Sequence, residues 1–171
     1  MSTEFLLPSF VVVIMPGTGV LYTVATGLFL GRRASLFAAL GCTLGIVPSL
    51  LASITGLALL IHASAVAFQV VKFAGVAYLL YLAWGMLQGG GPLSLEEDQS
   101  EQSIMAVISR GFLINILNPK LTIFFLAFLP QFVPVDVADP TRIMVLLGLV
   151  FMLMTLAVVI GYGLLATTVR A

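Results

Sequence analysis

The sequence predicts an all-α fold: a polytopic membrane helix bundle of five spans, with the first and fourth broken near their centres. Three observations predict it. Hydrophobic residues make up 61% of the 171 and charged residues 8%, with a mean hydropathy of +1.20, far outside the habits of soluble domains. Five apolar stretches each approach or exceed the roughly 20 residues needed to cross a bilayer. Three of them carry a proline near mid-stretch, Pro16, Pro48 and Pro119, and hydrocarbon tolerates the released backbone carbonyl only inside protein or beside a wet cavity.

The same composition excludes several functions. Seven basic and seven acidic residues give zero net charge, so there is no nucleic-acid footprint. Cys42 is the one cysteine, which rules out an internal disulfide and a CxxC pair. It reads as a small packing residue. No nucleophile–base pair or metal-ligand cluster lies within the spans, so neither an enzyme nor a cofactor is expected. The N-terminus has no basic n-region, and its apolar run is too long for a signal-peptide core. It reads as a retained first span.

Span one covers roughly Phe5 to Leu30. Pro16 releases the carbonyl of Val12. Gly17, Thr18 and Gly19 then begin a half-helix whose N–H groups and positive dipole end suit a carboxylate. Arg32 and Arg33 follow as a topology anchor. Span two, roughly Ser35 to Ile61, sets Gly41 and Gly45 on one face for close helix packing. Pro48 adds a further kink, and His62 stands at the interface.

Span three covers roughly Ser64 to Leu87. Lys72 lies about 10–12 Å from its end, where snorkelling and pointing inward are both open. Tyr81 and Trp84 suit an interfacial belt. Gly89 to Ser103 carries Glu96, Glu97, Asp98 and Glu101 and reads as a solvated linker. The single domain therefore divides into a three-helix half over 1–88, a polar loop over 89–105 and an incomplete second half over 106–171.

Span four holds Arg110 to Phe132, with Asn115, Asn118, Pro119 and Lys120 inside it. Pro119 cannot bond the Asn115 carbonyl. Lys120 sits near mid-depth, at roughly 2.5–3.5 kcal/mol on insertion scales. A proline kink with a snorkelling lysine is the bland alternative. Span five, roughly Ile143 to Leu165, has neither charge nor proline and reads as packing.

These stretches resemble one family. Gly111, Asn115, Asn118-Pro119-Lys120, then Phe124-Phe125-Leu126 and Leu129-Pro130-Gln131-Phe132, resemble the fourth membrane helix of the lysine exporter and threonine–homoserine efflux (LysE/RhtB) superfamily. Gly31-Arg32-Arg33-Ala34 and the segment Lys72 to Gly85 resemble its first loop and third helix. Two departures stand out. The superfamily's P-G-P is Pro16-Gly17-Thr18 here, and Ile46 replaces an acidic residue common in relatives. The resemblance implies proton-motive-force-driven efflux of amino acids across the bacterial inner membrane, with Lys72 pointing inward. It also implies a sixth span. A truncated chain, a homo-oligomer or other partner that supplies the missing surface, five spans that suffice, and a non-transporting assembly subunit are the alternatives.

Spans one and four are each interrupted near the centre and cross in opposite directions. That is the signature of inverted-topology repeats with substrate at the breaks. The expected site is therefore Pro16, Gly17, Thr18, Gly19, Lys72, Asn115, Asn118, Pro119 and Lys120. The N–H groups after Pro16, with Lys72 or Lys120, would take a carboxylate, and the freed carbonyls of Val12 and Asn115 an ammonium. A small zwitterionic amino acid satisfies both. All seven acidic residues are terminal or in loops, so a proton carrier is not evident. A thiol-relay protein, the reading from another functional class, needs paired cysteines. The excess of arginine at Arg32, Arg33, Arg110 and Arg170 over Arg142 puts the N-terminus outside and the C-terminus in the cytoplasm.

Overall fold

A computed structural model describes residues 3–61, 70, 73, 103–134 and 137–169. The expected third span with Lys72, Tyr81 and Trp84, residues 89–102 of the acidic loop, and His62, Asp136 and Arg170 lie outside these residues.

The described residues form helices in the order α1 (Thr3–Ile14), α2 (Thr18–Leu30), α3 (Arg32–Leu44), α4 (Val47–Ile61), α5 (Ile104–Ile116), α6 (Pro119–Ile123) and α7 (Pro140–Thr168). A π-helical turn, Phe124–Phe128, and a 3₁₀ turn, Leu129–Phe132, extend α6. Arg32–Gly56 and Pro140–Thr168 are each long and apolar enough to cross a bilayer. Two further candidates are bent pairs: α1 with α2, at 49°, and α5 with the Pro119–Phe132 segment, at 52°. Among the described residues this makes up to four crossings. They coincide with expected spans one, two, four and five; the third lies outside.

Each boundary has a local cause. Gly31, at φ 87°, occupies a region that side chains rarely adopt, and it turns the chain sharply from α2 into α3. Arg32 and Arg33 are exposed at the start of α3. Cations oppose the dipole at a helix N-terminus, so they do not stabilise the start of α3. Asp139 caps α7 by accepting a bond from the Arg142 N–H at 3.0 Å, with Pro140 in the first turn. That cap starts α7 three residues before the expected Ile143. Pro48 leaves the Leu44 carbonyl without its helical donor. The chain tightens there, the Ile46 N–H bonding the Thr43 carbonyl at 3.1 Å.

Packing follows the solvent that the composition demands. Leu7, Leu51, Leu113, Leu117, Leu153 and Leu165 are exposed, whereas Ser9, Thr23, Ser35, Ser53, Asn115 and Asn118 are buried. Polar groups turn inward because a lipid-facing hydroxyl or amide finds no partner. α3 lies against α5 and α2 against α7, and glycines set the separation. A Cβ on Gly45 would stand 2.6 Å from the Phe112 carbonyl oxygen, and one on Gly111 would stand 2.9 Å from that of Ala38. A Cβ on Gly27 would stand 2.8 Å from the Gly163 carbonyl oxygen. The Gly41-x3-Gly45 pair is thus a packing face. The largest apolar cluster gathers Phe124, Phe125 and Phe151. Phe151 stacks on Phe124 at 4.6 Å and meets Phe125 edge-on at 5.2 Å.

Candidate functional site

Asn118-Pro119-Lys120 is a helix start as much as a helix break. Asn118 is the N-cap of α6, its Oδ1 accepting the Lys120 N–H at 3.1 Å, and Pro119 takes the first helical position. Both are the residue types those positions favour. Side chains lean toward the N-terminus of their helix, and that direction carries Lys120 back across the break to the end of α1. There Nζ donates to the Val12 carbonyl at 2.7 Å and to the Met15 carbonyl at 2.9 Å.

The carbonyl expected to be free after Pro16 is therefore occupied. The C-terminus of α1 is satisfied by side chains distant in sequence, Tyr162 Oη donating to the Ile14 carbonyl at 3.1 Å. An ammonium at the negative end of a helix dipole is also the favoured charge. Lys120 is only half-buried and has a third N–H that these two bonds do not use.

The second expected free carbonyl is also occupied. Asn115 O accepts the Asn118 N–H at 3.1 Å, because the last turn of α5 tightens before the proline. The Asn115 side chain is committed too. Its Nδ2 donates to the Cys42 carbonyl at 2.6 Å, and its Oδ1 accepts from Asn118 Nδ2 at 3.4 Å. Gly19 makes room for it: a Cβ there would stand 2.7 Å from Asn115 Oδ1.

Across from Lys120, α2 begins without a side-chain cap. Leu21 is the first residue to bond back, its N–H reaching Gly17 O at 3.1 Å. The N–H groups of Thr18, Gly19 and Val20 have no backbone partner among the described residues, as helix geometry requires of a first turn. The Thr18 hydroxyl is also buried and unpaired.

Between these parts lies a cavity of about 40 Å³. Gly17, Gly19, Asn115, Asn118 and Lys120 line it, five of the expected residues. Pro16 and Pro119 are exposed and shape the wall without joining it. Lys72 lies outside the described residues. The cavity is also lined by Phe151, Thr155 and Val159 of α7, the helix of the expected packing span. Thr155 is a lone hydroxyl amid the apolar run Leu153 to Ile160, which was the available signal. No aspartate or glutamate is among the lining residues.

Among the described residues the chain is a bundle of apolar helices, compatible with a membrane helix bundle, in which two bent helix pairs meet at a small cavity lined by apolar and polar groups. The comparisons specify the family. Residues 10–171 match the LysE type translocator model, and the chain belongs to that family. An uncharacterized membrane protein of Vibrio cholerae is 32% identical over 95% of this chain and 78% of its own length. The homoserine/homoserine lactone efflux protein of Salmonella typhimurium is 28% identical over 98% and 81%. The leucine efflux protein of Klebsiella pneumoniae is 29% identical over 80% and 65%. No solved structure matches the chain.

Proposed function

We propose that this protein exports amino acids or small amino-acid derivatives across the bacterial inner membrane, by alternating access around the cavity between α1, α2 and α6. The observation that carries the proposal is the placement of Lys120. Its ammonium sits on the Val12 and Met15 carbonyls, a position that the ammonium of a zwitterionic substrate is equally suited to fill. A substrate exchanging with Lys120 there would release the lysine toward the substrate carboxylate. That carboxylate would rest on the uncapped first turn of α2. The cavity admits a few water-sized groups, so substrate entry requires α1 and α6 to part. The exchange at Lys120 removes the bonds that hold them together.

In this reading spans one and four are the paired elements of an inverted repeat. The proton motive force as driving force rests on the family resemblance, and so does the inward position of Lys72. Orientation rests on the arginine distribution. The contact between Gly163 and Gly27 supports it, since it puts the last turns of α7 at the same end as Arg32 and Arg33.

The test is export of labelled leucine, homoserine, threonine and lysine from cells expressing the chain, normalised to membrane protein. Export of at least one, lost in Lys120→Ala, supports the proposal. A chain that reaches the membrane and moves none of the panel is an assembly subunit instead.

A further inference from the structure

Thr155 stands out among the described buried threonines that have a carbonyl of their own helix one turn back. Buried threonines in helices commonly bond the carbonyl one turn back. Thr23 does so to Gly19 O at 2.9 Å, Thr26 to Tyr22 O at 2.7 Å, Thr43 to Ala39 O at 2.9 Å and Thr122 to Asn118 O at 3.4 Å. The Thr155 hydroxyl has no partner, although the residue is only 7% exposed and the Phe151 carbonyl lies one turn back. It lines the cavity instead.

An inventory of the cavity wall says what that hydroxyl faces. Four acceptors near the cavity are engaged: Val12 O by Lys120 Nζ, Asn115 Oδ1 by Asn118 Nδ2, Asn118 Oδ1 by the Lys120 N–H, and Gly19 O by Thr23 Oγ1. Several donors beside them are unused: the first-turn N–H groups of α2, the third N–H of Lys120 and the hydroxyls of Thr18 and Thr155. A cluster of unused donors beside a lysine ammonium is complementary to an anion.

We propose that Thr155 is a substrate-binding residue whose hydroxyl donates to a carboxylate held at the first turn of α2, so that α7 forms a third wall of the site. This rests on the exporter reading for its physiological ligand, but the carboxylate site is testable without transport.

The experiment uses the full chain in lipid nanodiscs, titrated with L-leucine, propionate and propylamine while thermal unfolding is followed. Propionate has the carboxylate alone and propylamine the amine alone. Parent protein should be stabilised by L-leucine and by propionate. Thr155→Val keeps the shape and removes the donor. It should weaken both carboxylates by roughly ten- to hundredfold, the range for a hydrogen bond to a charged group, and leave the response to propylamine unchanged. Its ligand-free melting temperature should not fall, since the hydroxyl it removes has no partner. Thr155→Ser should restore binding to within about threefold. Unchanged carboxylate affinity in Thr155→Val, an equal loss for propylamine, failure of serine to rescue, or no response of the parent to either carboxylate overturns the proposal. If the carboxylates behave as expected but no amino acid is exported by cells, the exporter reading falls and the site stands.

Discussion

Lys120 Nζ lies 2.7 Å from the carbonyl oxygen of Val12, 108 residues earlier in the chain. One side chain thus joins the two interrupted spans, and it does so by capping a helix end that Pro16 leaves open. Removing it should have two effects. Lys120→Ala strands the Val12 and Met15 carbonyls, at about 1–3 kcal/mol for an unsatisfied buried group, and deletes the charge at the cavity. Export per molecule should fall to background, and the melting temperature in detergent should drop. Normal export with normal stability would reduce Lys120 to a snorkelling residue. The same assay on Lys72→Ala decides whether that lysine points inward.

The two glycines of Pro16-Gly17-Thr18-Gly19 should differ sharply. A Cβ on Gly17 would meet Lys120 Nζ at 3.7 Å, ordinary van der Waals contact, whereas one on Gly19 would meet Asn115 Oδ1 at 2.7 Å. The Asn115 amide is held by its bond to Cys42 O and cannot retreat without losing it. Gly17→Ala should keep most of its export, and Gly19→Ala should lose at least tenfold, about 1.4 kcal/mol in the relevant equilibrium. Export normalised to membrane level, measured side by side, checks the order. The reverse order would contradict this site geometry.

The prolines should also differ. Pro119 occupies the first position of α6, where the missing N–H has no helical partner in any case, and Asn118 keeps its cap without it. Pro119→Ala should retain the bend and most activity. Pro16→Ala supplies an N–H that reaches for Val12 O and competes with Lys120. It should straighten the first span, leave abundance at or above the parental level, and lose export. Asn118→Ala, which removes the α6 cap at about 1 kcal/mol, should be the more damaging change at the second break. Equal activity in Pro16→Ala and Pro119→Ala would remove the Val12–Lys120 bond from the mechanism.

Orientation can be read with one added cysteine. Cys42 is fully buried, so the parent should be silent to impermeant maleimides. Ser94→Cys should label in inverted vesicles and not in intact cells. Labelling only in intact cells would reverse the assignment of the N-terminus to the outside.

The amino-acid sequence by itself determined the membrane class, the up to four candidate crossings among the described residues and the breaks at Pro16 and Pro119. Those are properties of composition and of single residues: hydropathy sums along the chain, and proline lacks its N–H wherever it stands. Asn118-Pro119-Lys120 was legible for the same reason, as a cap, a first position and a charge. Tertiary structure alone decided what the interruptions do. That Val12 O is taken by Lys120, that Asn115 is spent on Cys42, and that Gly19 rather than Gly17 is crowded depend on residues tens to more than a hundred positions apart. No local periodicity encodes such pairings. Thr155 shows the difference most clearly. In sequence it is a hydroxyl in an apolar run, able to bond back to its own helix as other threonines do. Only the packing of α7 against the opening turn of α2 leaves it lining a cavity with no partner for its hydroxyl.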